Sequence, residues 1–164
     1  MQNFKNYTDY MTSPLGVIKI EASKYGITGI EFTSQKEPPS LGCRLTEQCI
    51  TELAEYFSGR RKIFSLSLDH KGTDFQNSIW SALQNIVFSE TISYEAVANM
   101  AGKPTAVRAA GTALKKNPIA IIIPCHRVIG KNGTLAGYSG GLERKSWLLA
   151  HEAYYENQLS LGNN

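Results

Sequence analysis

The sequence has no apolar run of the roughly 18 to 20 residues that a membrane-spanning helix needs. Its polar start, residues 1–5, does not resemble a secretory signal peptide. The three cysteines form an odd set, which argues against a disulfide framework, and cysteine and histidine show no recognised metal-binding spacing. We therefore expect a cytosolic protein that binds neither a membrane nor a structural metal.

One long segment of the chain lacks negatively charged residues. Residues 96–142 contain no Asp or Glu, although they hold six of the 17 basic residues. Those six are Lys103, Arg108, Lys115, Lys116, Arg127 and Lys131. A surface with charge of one sign attracts a polyanion, so the segment predicts a face that binds nucleic acid. The alternative is a solvated basic surface without a ligand.

Two short helices are predicted inside this basic segment. Ser93 can cap a helix from Tyr94 to Met100, whose end Gly102 marks. Pro104 suits the first position of a second helix, which stops before Asn117-Pro118. Two short helices joined by a turn that contains glycine are typical of a helix-turn-helix.

The second helix is rich in small residues, whereas helices that read a major groove carry long polar side chains. Its small residues are Ala106, Ala109, Ala110, Gly111 and Ala113. They would let the helix backbone approach a narrow groove closely, and Arg108 is the long basic side chain in mid-helix. We infer contact with a minor groove, with Arg108 as a probe or wedge.

Cys125 stands between Pro124 and His126, after the apolar run Ile119–Ile123. A thiol reacts as its thiolate, and a free cysteine with a pKa near 8.5 is mostly protonated at neutral pH. His126 and Arg127 are candidates for a base or a positive charge that would activate the thiol. The alternative is that Cys125 is a small buried hydrophobic residue.

Five segments carry a resemblance to a known family. They are Arg108-Ala-Ala-Gly111, Asn117-Pro118, Pro124-Cys-His-Arg-Val128, Gly137-Tyr-Ser-Gly-Gly141 and Trp147-Leu-Leu-Ala-His-Glu152. In order and spacing, from about Phe75 to Glu152, they resemble the O6-alkylguanine-DNA alkyltransferases. The resemblance implies a suicide repair protein that transfers an alkyl group from O6 of guanine in double-stranded DNA to its own cysteine. We expect a monomer without a cofactor, and O4-alkylthymine stays open as a second substrate.

The resemblance also implies roles near the cysteine. Cys125 would be the nucleophile, with His126 as a base that acts directly or through one water. Asn117 would tie the second helix to the cysteine segment. Glu152 shares a helix face with Leu148 and Leu149, so it is expected to be buried and to need a partner, for which His126 is the natural choice. An ordinary ion pair with a lysine is the alternative for Glu152.

The base and the DNA would be held by two further sets of residues. The expected contacts of a flipped base are Tyr94, Val128, Tyr138 and Ser139. The expected DNA contacts are Arg108, Lys103, Ala106, Lys115 and Lys131. Ordinary helix packing for Tyr94 and a plain loop for residues 138–141 are the alternatives.

The predicted fold class is α+β, with an N-terminal domain (1–70) and a C-terminal domain (71–164). Strands at Tyr7–Met11, Val17–Ala22 and Ile27–Thr33 should form an antiparallel meander. A helix should bury Leu45, Cys49, Leu53 and Phe57, and a further strand should span Ile63–Leu68. Thr73 and Gln76 form a capping box for the first helix of the second, mainly helical domain, which carries Ile79, Leu83 and Ile86.

Two other functions compete with repair. A cysteine hydrolase would also use a Cys and a His, but it gives the basic helix-turn-helix no role. A lesion-binding module or DNA-binding regulator without catalysis explains the basic helices, yet it leaves Cys125, His126 and a buried Glu152 unexplained.

Overall fold

The computed structural model describes residues 6–34 and 41–162, apart from the side chain of Ser160. They divide into two compact units. The first comprises the described residues up to Lys71 together with Pro118–Ala120, and the second comprises Gly72–Asn117 and the chain from Ile121 onward. The domain division at residue 70 stays a prediction, and it did not foresee the return of Pro118–Ala120 to the first unit.

A three-stranded antiparallel sheet organises the first unit. It contains β1 (Tyr7–Ser13), β2 (Gly16–Ala22) and β3 (Ile27–Thr33), with β2 in the middle. Alternate residues of β2 point to one face, and Ile18, Ile20 and Ala22 are fully buried there. The segment Pro118–Ala120 extends the edge at β3, because backbone hydrogen bonds join Ile30 to Pro118 and to Ala120.

Helix α1 (Arg44–Phe57) packs on the sheet, and its inner stripe contains Cys49 and Leu53 as predicted, whereas the predicted Leu45 is only half-buried. Cys49, Leu53 and Tyr56 are fully buried, whereas Phe57 is half-buried. The register i, i+4, i+7 of these residues keeps Tyr56 on the inner face, and Phe57 lies one step around the helix. Burial raises the pKa of Cys49 to about 12, so this thiol is inert at neutral pH.

The strand predicted at Ile63–Leu68 is wrong. This segment forms only an isolated parallel bridge between Leu68 and Ile27. Its backbone is engaged by side chains instead, since Ser65 donates its amide to Glu52 Oε2 (2.9 Å) and Arg61 donates to the Ile63 carbonyl (2.8 Å). Exposure nevertheless alternates along the segment, since Phe64, Leu66 and Leu68 are half-buried whereas Ile63, Ser65 and Ser67 are exposed, so the alternation marks one covered side without a strand.

Helix α2 (Asp74–Leu83) begins the second unit with the predicted capping box. The Thr73 side chain accepts from the Gln76 amide, and the Gln76 side chain accepts from the Thr73 amide. Ile79 and Leu83 are fully buried on its inner face, and Ile86 is buried just beyond its end. The indole of Trp80 donates to the Ala113 carbonyl (2.9 Å), which joins α2 to the fourth helix.

The predicted helix-turn-helix is present. Helix α3 (Tyr94–Met100) is capped by Ser93, whose hydroxyl accepts from the Ala96 amide (3.1 Å), and α4 runs from Val107 to Lys115. Pro104 is not the first helical residue, as the sequence suggested. It lies in the turn before α4, because the chain needs residues 103–106 to reverse direction after Gly102 (φ 72°).

A short parallel pairing aligns α3 with the cysteine segment. Strand β4 (Ile92–Ser93) pairs with β5 (Val128–Ile129), in the register Ile92 with Val128. Helix α5 (Leu142–Leu161) is the last element of the described residues. The α+β class is confirmed, with a small antiparallel sheet in one unit and mainly helices in the other. None of the helices in residues 6–34 and 41–162 is long and apolar enough to cross a membrane.

Candidate active site

Cys125 is presented by two tight turns in succession. Pro124 (φ −82°, ψ 63°) forms an inverse γ-turn, in which the Cys125 amide donates to the Ile123 carbonyl (2.8 Å). A 3₁₀ turn, Cys125–Arg127, follows directly. Ile121, two residues before the γ-turn carbonyl, has φ 72° although it is β-branched and buried, a strained conformation that persists only where its surroundings enforce it. The cysteine therefore sits on a constrained backbone.

Asn117 links the end of α4 to this turn, as the resemblance to the family implies. Its side-chain amide nitrogen donates to the Ile123 carbonyl (2.8 Å) and to the Cys125 sulfur (3.1 Å). One amide group thus holds the γ-turn and contacts the thiol. Because a hydrogen bond to sulfur favours the charged form, Asn117 stabilises a thiolate at this position.

The Cys125 thiol is 6% exposed, and burial raises its pKa above the ordinary value. The hydrogen bond from Asn117 and the charge of Lys145 act in the opposite direction without cancelling that effect. At neutral pH the resting group is therefore a thiol. A base must take its proton before the sulfur can act as a nucleophile.

His126 and Glu152 form the buried pair that the sequence predicted. The distance between His126 Nε2 and Glu152 Oε1 is 2.8 Å, and both side chains are fully buried. Burial lowers the pKa of His126, which leaves the ring neutral at pH 7. Its other nitrogen, Nδ1, is buried and has no hydrogen-bond partner in the protein. An unprotonated Nδ1 is a lone pair suited to accept a proton.

Arg127 does not do what the sequence suggested. The sequence places Arg127 among the basic residues predicted around the cysteine, but its side chain is buried and binds Glu152. Arg127 Nε lies 3.0 Å from Glu152 Oε2, and its terminal nitrogen lies 2.8 Å from Oε1. The other terminal nitrogen donates to the Ile86 carbonyl (2.6 Å). A planar guanidinium forms strong paired hydrogen bonds with a carboxylate. The positive charge of Arg127 is therefore buried and does not belong to the basic surface.

Lys145 is a site residue that the sequence reasoning missed. Its side chain is 1% exposed, and its ammonium donates to the carbonyls of Val128 (2.6 Å) and Ala136 (2.9 Å). It lies close enough to Cys125 to lower the pKa of the thiol. The signal that could have found it is the helical spacing of Lys145, Leu148 and Glu152 along α5, which puts all three on one buried face.

Two tyrosines of the predicted base-binding set stand beside the thiol. Burial and the proximity of Cys125 raise the pKa values of Tyr94 and Tyr138, so both phenols are protonated. The Tyr94 hydroxyl donates to the Ala136 carbonyl (2.9 Å), whereas the buried Tyr138 hydroxyl has no partner in the protein. Ser139 is exposed on the loop that follows, and Val128 is buried in β5.

The expected DNA contacts lie on the helix-turn-helix and the loop after β5. Arg108, Lys103, Lys115 and Lys131 are exposed, and Ala106 is half-buried at the start of α4. Tyr94, Arg108, Gly111 and Lys131 are among the residues that line an open cleft of about 510 Å³. Glu95 lines the same cleft, which places a carboxylate at its edge. No group of three or more metal-ligating side chains occurs in the described part of the chain.

The buried pair should make the protein sensitive to acid. Burial alone would raise the pKa of Glu152, but hydrogen bonds from His126 and Arg127 hold it well below its usual range. A carboxyl with a depressed pKa stabilises the fold above its unfolded pKa, about 4.3, and this contribution is lost as the pH falls below that value. His126, whose pKa is also lowered, adds a loss below about pH 6.5.

Denaturant unfolding at pH 7, 5 and 4 measures this effect. Glu152→Gln should lower the free energy of unfolding by about 3 to 5 kcal/mol at pH 7, because it leaves Arg127 with a buried, uncompensated charge. The variant should then lose less stability than the parent between pH 5 and 4. Parallel losses in the two proteins would mean that Glu152 does not carry the acid sensitivity.

Family profiles match both units of the chain. Residues 6–70 match the 6-O-methylguanine DNA methyltransferase ribonuclease-like domain, and residues 74–154 match the 6-O-methylguanine DNA methyltransferase DNA binding domain. The second match contains Asn117, Cys125, His126 and Glu152 together.

Several curated relatives match most of the length of the chain. The methylated-DNA–protein-cysteine methyltransferase of Methanosarcina barkeri is 42% identical over 93% of this chain and 99% of its own. The inducible methylated-DNA–protein-cysteine methyltransferase of Bacillus subtilis is 38% identical over 96% of this chain and 91% of its own.

Solved structures agree with these matches. The Mycobacterium tuberculosis O6-methylguanine methyltransferase superposes with a TM-score of 0.82 at 38% identity, over 90% of this chain and 93% of the other. The same organism's OGT in complex with DNA gives 0.80 at 38% identity, over 89% and 92%. Identity and coverage at this level, together with a buried Cys, His and Glu in the matched domain, show that this chain belongs to the methylated-DNA–protein-cysteine methyltransferase family.

Proposed function

We propose that this protein repairs DNA by moving an alkyl group from O6 of guanine to the sulfur of Cys125. The main observation in support is the buried Cys125 thiol next to His126. The His126 ring is neutral, and its Nε2 lies 2.8 Å from Glu152 Oε1. The relatives named above are methyltransferases that act on methylated DNA, and one neighbouring structure is a complex with DNA. The basic helix-turn-helix supplies the surface for that substrate.

The reaction needs a thiolate, which the free protein does not hold. The thiol and the imidazole share no direct hydrogen bond among the described residues, since Cys125 contacts Asn117 and His126 contacts Glu152. One water between His126 Nδ1 and the sulfur would connect them and would satisfy the buried nitrogen. His126 then accepts the thiol proton as the general base, and Glu152 stabilises the ring while it is charged.

The transfer step is a displacement at saturated carbon. The sulfur forms a bond to the alkyl carbon, the bond from that carbon to O6 breaks, and its electron pair moves onto guanine. The proton that left the thiol balances the charge when guanine takes up a proton. Both tyrosine phenols are protonated, so Tyr94 and Tyr138 would donate hydrogen bonds that neutralise the charge developing on the leaving base.

A buried thiol cannot reach a base that is stacked in a duplex, so the damaged nucleotide has to leave the stack. Arg108 is exposed on α4 among small residues, which suits it to enter a minor groove and fill the vacated space. Lys103, Lys115 and Lys131 are exposed cations for phosphate contacts, and Ala106 permits close approach of the backbone.

The extruded base would meet a pocket whose hydrogen-bonding groups are already ordered. The Val128 carbonyl accepts from Lys145 but keeps a second lone pair for the exocyclic amine of guanine. Ser139, on the exposed loop, would contact the opposite edge of the base. The Tyr94 hydroxyl would exchange the Ala136 carbonyl for the base. We also infer that the protein acts in the compartment that holds DNA, in keeping with the expected cytosolic location.

Product formation should stop at one equivalent of active protein. An S-alkylcysteine is a thioether without a good leaving group, so the sulfur is not regenerated. The test is to mix an O6-methylguanine duplex in excess with known amounts of protein and to quantify repaired guanine over time. A plateau proportional to protein supports the proposal. Continued turnover, or binding without any repaired guanine, as a lesion-binding module would give, contradicts it.

Arg108→Ala should slow transfer from duplex DNA much more than it weakens binding. Loss of the wedge raises the cost of extrusion by a few kcal/mol, which corresponds to about 10- to 1,000-fold in rate. Lys115→Ala is the matched control, since it should reduce the salt dependence of affinity by at most about one unit of slope and spare the rate on bound DNA. Free O6-benzylguanine, which needs no extrusion, should react equally with both variants. A normal duplex rate for Arg108→Ala would exclude the wedge.

A further inference from the structure

Arg127 is held on three sides in the interior of the second unit. Its Nε contacts both oxygens of Glu152 (3.2 and 3.0 Å), and one terminal nitrogen contacts Oε1 (2.8 Å). The other terminal nitrogen donates to the Ile86 carbonyl at 2.6 Å. The guanidinium also faces the ring of Phe88 at 5.8 Å. Such a grip fixes one orientation of Arg127, and through it one orientation of the carboxylate.

The chain bends to complete the shell of Glu152. Ser89 has φ 69°, a left-handed conformation that is uncommon for a residue other than glycine. This bend aims the Ser89 amide at Glu152 Oε2 (3.0 Å). Oε2 is thereby engaged by Arg127 and Ser89, whereas Oε1 is shared by Arg127 and His126. The His126 ring therefore meets a carboxylate whose charge is already compensated.

The balance of charge decides the state of His126. The charged and titratable groups that face it are Glu152 and Lys145 from α5 and its neighbours Arg127 and Cys125. A guanidinium does not give up its proton in proteins, so Arg127 and Glu152 form a neutral pair whatever His126 does. Without Arg127, a buried Glu152 anion would favour a charged imidazole as its counter-ion. With Arg127 in place, the neutral imidazole is the balanced state.

We propose that Arg127 is a positioning residue that keeps His126 neutral and in the Nε2–H tautomer, so that Nδ1 faces the thiol as a proton acceptor. This inference rests on the proposed function, because it explains how His126 is ready to take the Cys125 proton. His126 donates its Nε2 proton to Glu152 Oε1, which the 2.8 Å distance allows. A positively charged His126 would have no lone pair at Nδ1 and could not act as the base.

The direct test is nitrogen NMR on protein labelled with ¹⁵N-histidine, which reports the protonation of each ring nitrogen without any DNA. In the parent protein His126 should show a protonated Nε2 and an unprotonated Nδ1 from pH 6 to 8. In Arg127→Met the midpoint of His126 protonation should rise by about one unit or more, a tenfold change in proton affinity. The signals of His70, in the first unit, serve as the internal control for effects of the substitution that are not specific to His126.

A double variant separates charge from packing. Arg127→Met/Glu152→Gln removes both charges and should return His126 to the neutral form, although it keeps the disturbed packing of the single variant. Arg127→Lys retains the charge without the two-oxygen grip, so its midpoint should lie between those of the parent and Arg127→Met. An unchanged His126 midpoint in folded Arg127→Met would overturn the proposal. So would a charged ring or a protonated Nδ1 in the parent protein, a result that needs no variant.

Transfer kinetics add a readout that a purely structural role would not move. Single-turnover transfer by Arg127→Met should be slower than in the parent at every pH where NMR finds His126 charged, in proportion to the charged fraction, and should recover as the pH rises and His126 loses its extra proton. A uniform loss at all pH values would assign Arg127 to packing alone. If the protein transferred no alkyl group at all while the NMR result held, the proposed function would fail and the role of Arg127 in setting the His126 state would stand.

Discussion

Cys125→Ala abolishes alkyl transfer while the variant still binds DNA, if the account is correct. The sulfur is the only group assigned to form the new bond, so its removal leaves no acceptor and the repaired product falls to the uncatalysed background. The predicted DNA contacts lie on α4 and on exposed loops, and the truncation does not touch them. Single-turnover transfer and DNA affinity, measured on the same preparation, check both parts.

Cys43→Ala is the matched control for this variant. Cys43 is a partly exposed thiol at the start of α1, in the first unit, so its loss should leave transfer at the parent rate. Substantial residual transfer by Cys125→Ala, or a loss of transfer in Cys43→Ala, would mean that the acceptor has been misassigned.

Glu152→Gln should slow transfer by about 100-fold, within the range that a positioned general base contributes. The amide carries no negative charge to stabilise His126 when it takes the thiol proton. The rate should therefore rise with pH to a higher midpoint than in the parent, because more of the thiol must ionise without help. DNA affinity should be nearly unchanged, since Glu152 is fully buried.

Glu143→Gln, at the exposed start of the same helix, supplies the control. It removes an equal charge from α5 and should leave both the rate and its pH dependence at the parent values. The rates have to be measured where Glu152→Gln is folded, given its expected loss of stability. If Glu152→Gln has the parent rate and pH profile, Glu152 serves the fold alone.

Local sequence patterns predicted most elements of the fold. The three strands, the Thr73–Gln76 capping box and the Ser93 cap depend on residues a few positions apart, and all are present. Ile63–Leu68 failed because only its last two residues pair with Ile27, whereas the Ser65 amide and the Ile63 carbonyl bond to the side chains of Glu52 and Arg61, which no alternation of neighbouring residues encodes. Pro104 failed because proline fits a turn as well as a first helical position.

In the candidate site, too, some contacts could be predicted from the sequence and others could not. The burial of Glu152 followed from its spacing with Leu148, and the contact of Asn117 with the cysteine turn followed from the resemblance to the family. The partners of Arg127 could not be predicted, because a surface cation and a buried one look alike in sequence. Ser89 contacts Glu152 through its backbone amide, so the identity of residue 89 does not predict this contact.

The residues around the Cys125 thiol are brought together by contacts between segments that are distant in the sequence. Lys145 reaches both Val128 and Ala136, and the pairing of β4 with β5 carries Tyr94 to the cysteine. A two-residue strand is too short to show periodicity, so neither its existence nor its partner could be read from the sequence. The roles of the predicted base and DNA contacts stay predictions that the variants above test.

Intact-mass analysis of the protein after reaction with an O6-methylguanine duplex, followed by peptide mapping, identifies the residue that accepts the alkyl group. We expect a single added methyl group per molecule, located on Cys125, with Cys43 and Cys49 unmodified. An unmodified protein in a mixture where guanine has been repaired, or a methyl group on any other residue, would contradict it.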